Sequence, residues 1–197
     1  MKVLFLLSAL GCVIESQSAA SPEVDFVGVE LVDSHGNAWE AERATMDADG
    51  GGAGWGIRAS LGVDEGDSSI PELKITADHS SWDLKARSIQ FEGNVVATRG
   101  DMRLTCARLD VTMGDGDHIE HAAATGGVRV TQADREATGQ EAELTTLRGE
   151  LVITGEPVVR EGGTSFSGER VTLWLDDERM ECEGCEVVVQ SPGVGGQ

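Results

Sequence analysis

Five short stretches of this sequence have residue types that could do chemistry. Cys182-Glu183-Gly184-Cys185 is a CxxC pair. A second CxxC would make a four-thiolate zinc site, but the chain has none. A thioredoxin-like role needs a βαβ setting, and this pair sits between strand-forming residues. It reads as a structural turn or a disulfide. Asp115-Gly116-Asp117-His118-Ile119-Glu120-His121 gathers five metal-ligating side chains in seven residues. It lacks the helical HxxxH spacing, and on a strand His118 and His121 point to opposite faces, so it reads as a solvated acidic turn. Asp47-Ala48-Asp49-Gly50 lacks the flanking ligands and closing Glu of an EF-hand loop. Gly51-Gly52-Ala53-Gly54-Trp55-Gly56 has Gly56 where a calcium β-roll needs Asp. Gly163-Thr164-Ser165-Phe166-Ser167 has Ser167 where a nucleophile elbow needs its second glycine. With 35 acidic residues in the chain, a neighbouring carboxylate pair carries little information. No acid, base and nucleophile assemble. The sequence reads as a non-enzyme with no metal and no cofactor.

Strands must position whatever these residues do. Ile89, Phe91, Val95 and Ala97 share one face across Gly93, and Leu73, Ile75 and Ala77 alternate with polar residues. Trp55, Ile57, Ala59 and Leu61 alternate in the same way. A period of two with one apolar face marks strands buried on one side. Met102, Leu104 and Cys106 are in one phase and Ala107, Leu109, Val111 and Met113 in the other. The switch at Cys106-Ala107 predicts a bulge or corner where a strand passes from one sheet to another. Helix signals are weak. The best candidate, Arg135 to Leu147, carries Gly139 inside and has no sustained apolar stripe. Loops are expected at Asp47 to Gly54, Asp64 to Pro71, Gly114 to Asp117 and Glu161 to Thr164.

A longer period organises these strands. Phe91-Glu92-Gly93-Asn94-Val95-Val96 turns an apolar run through a Gly-Asn step. Related steps recur at Gly126, Gly155 and Gly184, at spacings of 33, 29 and 29 residues. A small-polar-apolar strand follows each of the first three, at Cys106-Ala107-Arg108-Leu109, Thr138-Gly139-Gln140-Glu141-Ala142 and Ser167-Gly168-Glu169-Arg170-Val171. A period near 30 is a repeat signature. The expected fold class is all-β, one domain over residues 21–190, with a flexible tail at 191–197.

Residues 1–20 read as an export signal: Lys2, an apolar run over Val3 to Leu10, then Ser18-Ala19-Ala20 as a cleavage pattern. Ala9-Leu10-Gly11-Cys12 also resembles a lipobox, with Cys12 the acylated residue, and simple cleavage and lipidation both stay open. The apolar run is too short for a transmembrane helix. On either reading Cys106, Cys182 and Cys185 remain, and three cysteines cannot all pair internally. Which of them pair is left open. Net charge is −20, with 15 basic residues. Phosphate contacts need Lys and Arg, so nucleic-acid binding is excluded.

The run Ile89-Gln90-Phe91-Glu92-Gly93-Asn94-Val95-Val96, followed by Leu104-Thr105-Cys106-Ala107-Arg108-Leu109-Asp110-Val111, resembles the OstA-type repeat of the lipopolysaccharide-transport families LptA and LptC. Ala124 to Val130 with Ala137 to Leu144, and Leu151 to Val159 with Phe166 to Leu173, continue it. The N-terminal part, Val29 to Ala44 and Leu73 to His79, is more similar to LptC. LptC proteins usually carry a membrane-spanning helix, which is missing here, so anchoring would fall to an acylated Cys12. The Gly-rich loop around Gly50 and the Cys182/Cys185 pair have no counterpart in the resemblance.

The resemblance implies an open β-jellyroll, a folded-over pair of antiparallel sheets. It further implies a periplasmic protein of the bridge that passes lipopolysaccharide from the inner-membrane ABC exporter to the outer membrane. Other bridge subunits would join by edge-strand pairing. An LptA-like and an LptC-like role both remain open. Strand phase gives the residues expected to line a groove for acyl chains: Ile57, Leu73, Ile75, Ile89, Phe91, Val95, Met102, Leu104, Leu109, Val111, Val128, Val130, Ile153 and Val171. The other reading of that face is the dry, closed core of an exported β-repeat scaffold or binding module.

Overall fold

The computed structural model describes residues 24–32, 37–61, 72–115, 118–175 and 179–189. The export signal, Cys12, the whole Asp64 to Pro71 loop and the tail lie outside the described residues. Eight long strands follow one another as an antiparallel meander: β1 (Val24–Val32), β2 (Ala38–Met46), β3 (Gly52–Leu61), β4 (Leu73–Asp83), β5 (Ser88–Arg99), β6 (Met102–Met113), β7 (Ile119–Gln132) and β8 (Arg135–Thr145). Six short strands complete the sheet: β9 (Glu150–Thr154), β10 (Val158–Glu161), β11 (Thr164–Ser167), β12 (Arg170–Trp174), β13 (Met180–Glu183) and β14 (Glu186–Val189). All fourteen belong to one open antiparallel sheet.

The sheet is folded along a crease. Pairing slips between Thr76 and His79 on β4, Glu92 and Val95 on β5, Thr105 and Arg108 on β6, and Thr125 and Val128 on β7. Each slip bends its strand and increases its local twist. The repeat glycines lie on this crease. At Gly126 the backbone adopts φ +84°, which glycine tolerates best, and a Cβ there would stand 2.6 Å from the Ala107 Cβ on β6. Gly93 and Gly155 approach Asp78 of β4 and Gln140 of β8 in the same manner, and Gly184 approaches Glu169, between β11 and β12, less closely.

Beyond β8 the crease interrupts pairing and each rung divides in two. Residues Glu136 to Thr138 of β8 pair with β10, whereas Glu141 to Thr145 pair with β9. From there one branch runs β10, β11, β14 and the other β9, β12, β13. Two layers thus share their strands at the crease and face each other. The first layer points Ala44, Phe91, Leu109, Val111, Ala124, Ala142, Ile153 and Val171 inward. The second points Trp39, Ile57, Ile75, Val95, Leu104, Val128, Val130 and Val159, and the two sets merge into one apolar core. Trp39 spans the gap, meeting Trp82 of the first layer edge-on with ring centroids 4.7 Å apart.

Two local expectations are corrected, at Trp55 and over Asp47 to Gly54. The weak helix signal over Arg135 to Leu147 comes to nothing: Arg135 to Thr145 is a strand, as the repeat at Thr138 to Ala142 predicted, and only Thr146–Arg148 forms a single 3-10 turn. Strands pair along both of its edges, so its ladder hydrogen bonds override the helix preference of its Glu and Ala residues. Trp55 does not share a face with Ile57: it is exposed on the outside while Ile57 is buried. Gly56, at φ +65°, shifts the phase between them as part of the crease. The expected loop from Asp47 to Gly54 ends early, because β3 begins at Gly52.

Candidate functional site

The interior between the layers is built from slender aliphatic side chains on alternate residues of every rung. All fourteen residues named from strand phase point into it: thirteen are buried and Ile89 is half-buried. Phe91, Ile75 and Ile153 are wholly inaccessible to solvent, so the middle of the interior is packed shut. Ser80 is the exception to its apolar character, a buried hydroxyl beside Phe91 with no hydrogen-bond partner among the described residues.

At the β1 end the interior opens into a cleft of about 240 Å³ walled by Phe26, Val29, Leu31, Ala44, Thr45, Met46 and Trp82. Its accessible lining is wholly apolar. Phase reasoning did not find this cleft, although Phe26, Val29 and Leu31 were visible as apolar positions. Gly28 breaks the alternation between Phe26 and Val29, adopting φ +64°. The glycine run that resembled a failed calcium loop has its explanation here. A Cβ at Gly54 would stand 2.6 Å from the Trp39 ring, and one at Gly52 would stand 2.3 Å from the Trp82 ring. The glycines form a bed on which two indoles lie at the mouth of the interior.

The outer faces are polar and their charges are matched within and across strands. Arg108 lies 2.8 Å from Asp110 and 3.6 Å from Glu92, and Arg129 and Arg160 both reach Glu136, at 3.1 and 3.6 Å. Burial alone would raise the Asp110 carboxyl, but hydrogen bonds from Arg108 and Gln90 and the Arg108 charge hold it below its ordinary range. These exposed pairs add little stability. They do mean that each of these three arginines already has a carboxylate partner, instead of combining with the others as a phosphate clamp.

Cys182 and Cys185 form a disulfide, and Cys106 is a free, buried thiol on the crease. Burial pushes the Cys106 thiol up to about 11, against a weaker lowering by its hydrogen bond with the Arg108 backbone. A protonated, buried thiol is a poor nucleophile and metal ligand. Among the described residues no three His, Cys, Asp or Glu side chains gather as a metal site; Gly116 and Asp117 of the acidic turn lie outside them. No helix among the described residues is long and apolar enough to cross a membrane.

The profile of the family described as "LptA/(LptD N-terminal domain) LPS transport protein" matches residues 74–179, more than half of the chain. The chain belongs to this family. Among curated members of the LptA group, the lipopolysaccharide export system protein LptA of Escherichia coli K12 is 23% identical over 123 residues, and that of Shigella flexneri is equally so. The alignment covers 59% of this chain and 66% of those relatives, just under two thirds of their length. Among solved structures, LptH of Pseudomonas aeruginosa superposes with a TM-score of 0.56 at 17% identity. It covers 60% of this chain and 95% of LptH, which is described as the LptA-homologous periplasmic component of the lipopolysaccharide transport device. That likeness shows the LptA-like jellyroll fold. Residues 24–61 lie outside the profile match.

Proposed function

We propose that this chain is a periplasmic component of lipopolysaccharide transport that holds acyl chains between its two layers. The observation that carries the reading is a continuous apolar interior, bounded by a crease on one side and ending in an apolar cleft, within a member of this family. Burying a dozen methylenes there would gain about 10 kcal/mol gross, at about 0.8 kcal/mol each. That grip needs no charge pairing. It suits a chain of net charge −20 facing an anionic head group, which would stay in solvent.

The cleft is smaller than the roughly 300 Å³ at which small-molecule pockets begin, so it is a foothold only. A lipid must then part the layers. Among the described residues, backbone pairing joins them only through the strands they share at the crease; elsewhere apolar contacts hold them together, and acyl chains can replace such contacts in kind. Lipopolysaccharide would enter at the cleft and ride along the rungs, the driving force coming from the inner-membrane ABC exporter. Neighbouring bridge subunits would add strands at β1 or β14, where Val27, Val32, Val187, Val188 and Val189 are exposed. Acylation of Cys12 would anchor the chain to a membrane.

A closed scaffold is the second reading, favoured by the complete burial of Phe91, Ile75 and Ile153. Photo-crosslinkers placed at position 91, inside, and position 92, outside, separate the two when purified lipopolysaccharide is added with a soluble sugar phosphate as competitor. Transport predicts crosslinking at 91 alone, unaffected by the competitor. A scaffold predicts none at either position.

A further inference from the structure

The last rung is unlike the others. Among the described residues β13 pairs only with β12 and β14 only with β11, so the two halves of this rung have neighbours on one side alone. The Cys182–Cys185 disulfide joins them across the crease, with Cα atoms 5.8 Å apart. It also seats on the preceding rung: a Cβ at Gly168 would stand 2.9 Å from Cys185 Sγ, 3.1 Å from Cys182 Sγ and 2.6 Å from the Glu183 carbonyl. The Glu169 amide donates to that same carbonyl at 2.9 Å. Inner rungs have a strand on each side to fix their bend; here, where the described residues place a strand on one side alone, a covalent bond fixes it.

We propose that the Cys182–Cys185 disulfide is a redox-sensitive latch that keeps the terminal rung in register and β14 presentable as an edge; the consequence for docking rests on the reading that β14 meets a partner. A dithiol reductant opens it. One reductant thiolate attacks the Sγ of Cys185, the more exposed of the two residues, and Cys182 leaves and takes a proton from solvent. The second reductant thiolate then displaces Cys185, which is protonated in turn, and the reductant closes its own disulfide. The protein gains two S–H bonds and the reductant loses two. Glu181, Glu183 and Glu186 flank the pair in sequence and Glu169 lies against Gly184; a dithiol opens the latch more readily than a monothiol because its second thiolate attacks the mixed disulfide intramolecularly. Loop-closure entropy for so short a loop corresponds to about a twentyfold change in the opening equilibrium.

Hydrogen exchange read by mass spectrometry tests this on the full chain, oxidised, dithiothreitol-reduced, and as the Cys182→Ser, Cys185→Ser protein. Exchange over residues 180–189 rises about twentyfold on reduction and equally in the double variant, which then ignores the reductant. Residues 88–154 are unchanged. Unchanged exchange at 180–189 overturns the proposal. So does faster exchange throughout the sheet, because the bond would then be a global staple, and so does a double variant that still responds to the reductant. None of these readouts needs lipopolysaccharide or a partner, so failure of the transport reading leaves them intact.

Discussion

Phe91→Ala probes stability and lipid capture together. Phe91 is the largest wholly buried side chain, on the inner face of β5 between Ser80 of β4 and Leu109 of β6. Its removal costs about 3–5 kcal/mol, the range for truncating a buried aromatic ring. A domain of this size is stable by about 5–15 kcal/mol, so the variant folds but melts early. If acyl chains enter this interior, the vacated volume is where a lipid recovers lost contacts. Lipopolysaccharide should therefore raise the melting temperature of Phe91→Ala more than that of the unsubstituted protein. Urea titration gives the first quantity and thermal unfolding with and without lipid gives the second. A loss below about 1 kcal/mol would contradict the packing, since ordinary large-to-small core changes exceed it. A variant that loses stability but responds to lipid no better than the parent would sink the idea that lipid reaches Phe91.

Other consequences are independent of that one. Gly127→Ala meets only the strain of φ +71°, costing about 1 kcal/mol, whereas Gly126→Ala adds the clash with Ala107 and should cost more by urea titration. Ser80→Ala removes a buried hydroxyl without a partner and should be neutral or stabilising by up to about 1 kcal/mol. Native Cys106 should resist iodoacetamide at pH 8 and react once the chain is unfolded, as intact-mass measurement would show. Asp110 has a depressed folded pKa, so its contribution is present above the unfolded value of about 3.9 and is lost as pH falls through the lower folded value. Protonating other carboxylates relieves the repulsion of a −20 chain and works the opposite way. The test is therefore the difference between parent and Asp110→Asn, which should shrink below about pH 4.

Much of this structure is legible in the residues because the signal repeats. The steps at Gly93, Gly126, Gly155 and Gly184 mark one crease read four times, and the phase switch at Cys106-Ala107 coincides with the slip on β6. Alternation around those steps put all fourteen named residues on inner faces. What escaped reading depends on contacts between distant segments. Nothing local in Gly51 to Gly56 says that Trp39 and Trp82, twelve and more residues away, will lie on it. Trp55 was misplaced because the strand changes phase at Gly56, while the sequence alternation of Trp55, Ile57, Ala59 and Leu61 runs through that point unbroken. The Cys182–Cys185 pairing was undecidable against Cys106, whose burial follows from its place on the crease.

The central claim is that acyl chains, not head-group charge, hold lipopolysaccharide to this chain. Binding of intact and fully deacylated lipopolysaccharide to the full chain, each at low and high salt, measures this most directly. The account predicts that only the acylated form binds and that salt changes its affinity little. Equal binding of both forms, weakening as salt rises, would contradict it and place recognition on the outer face.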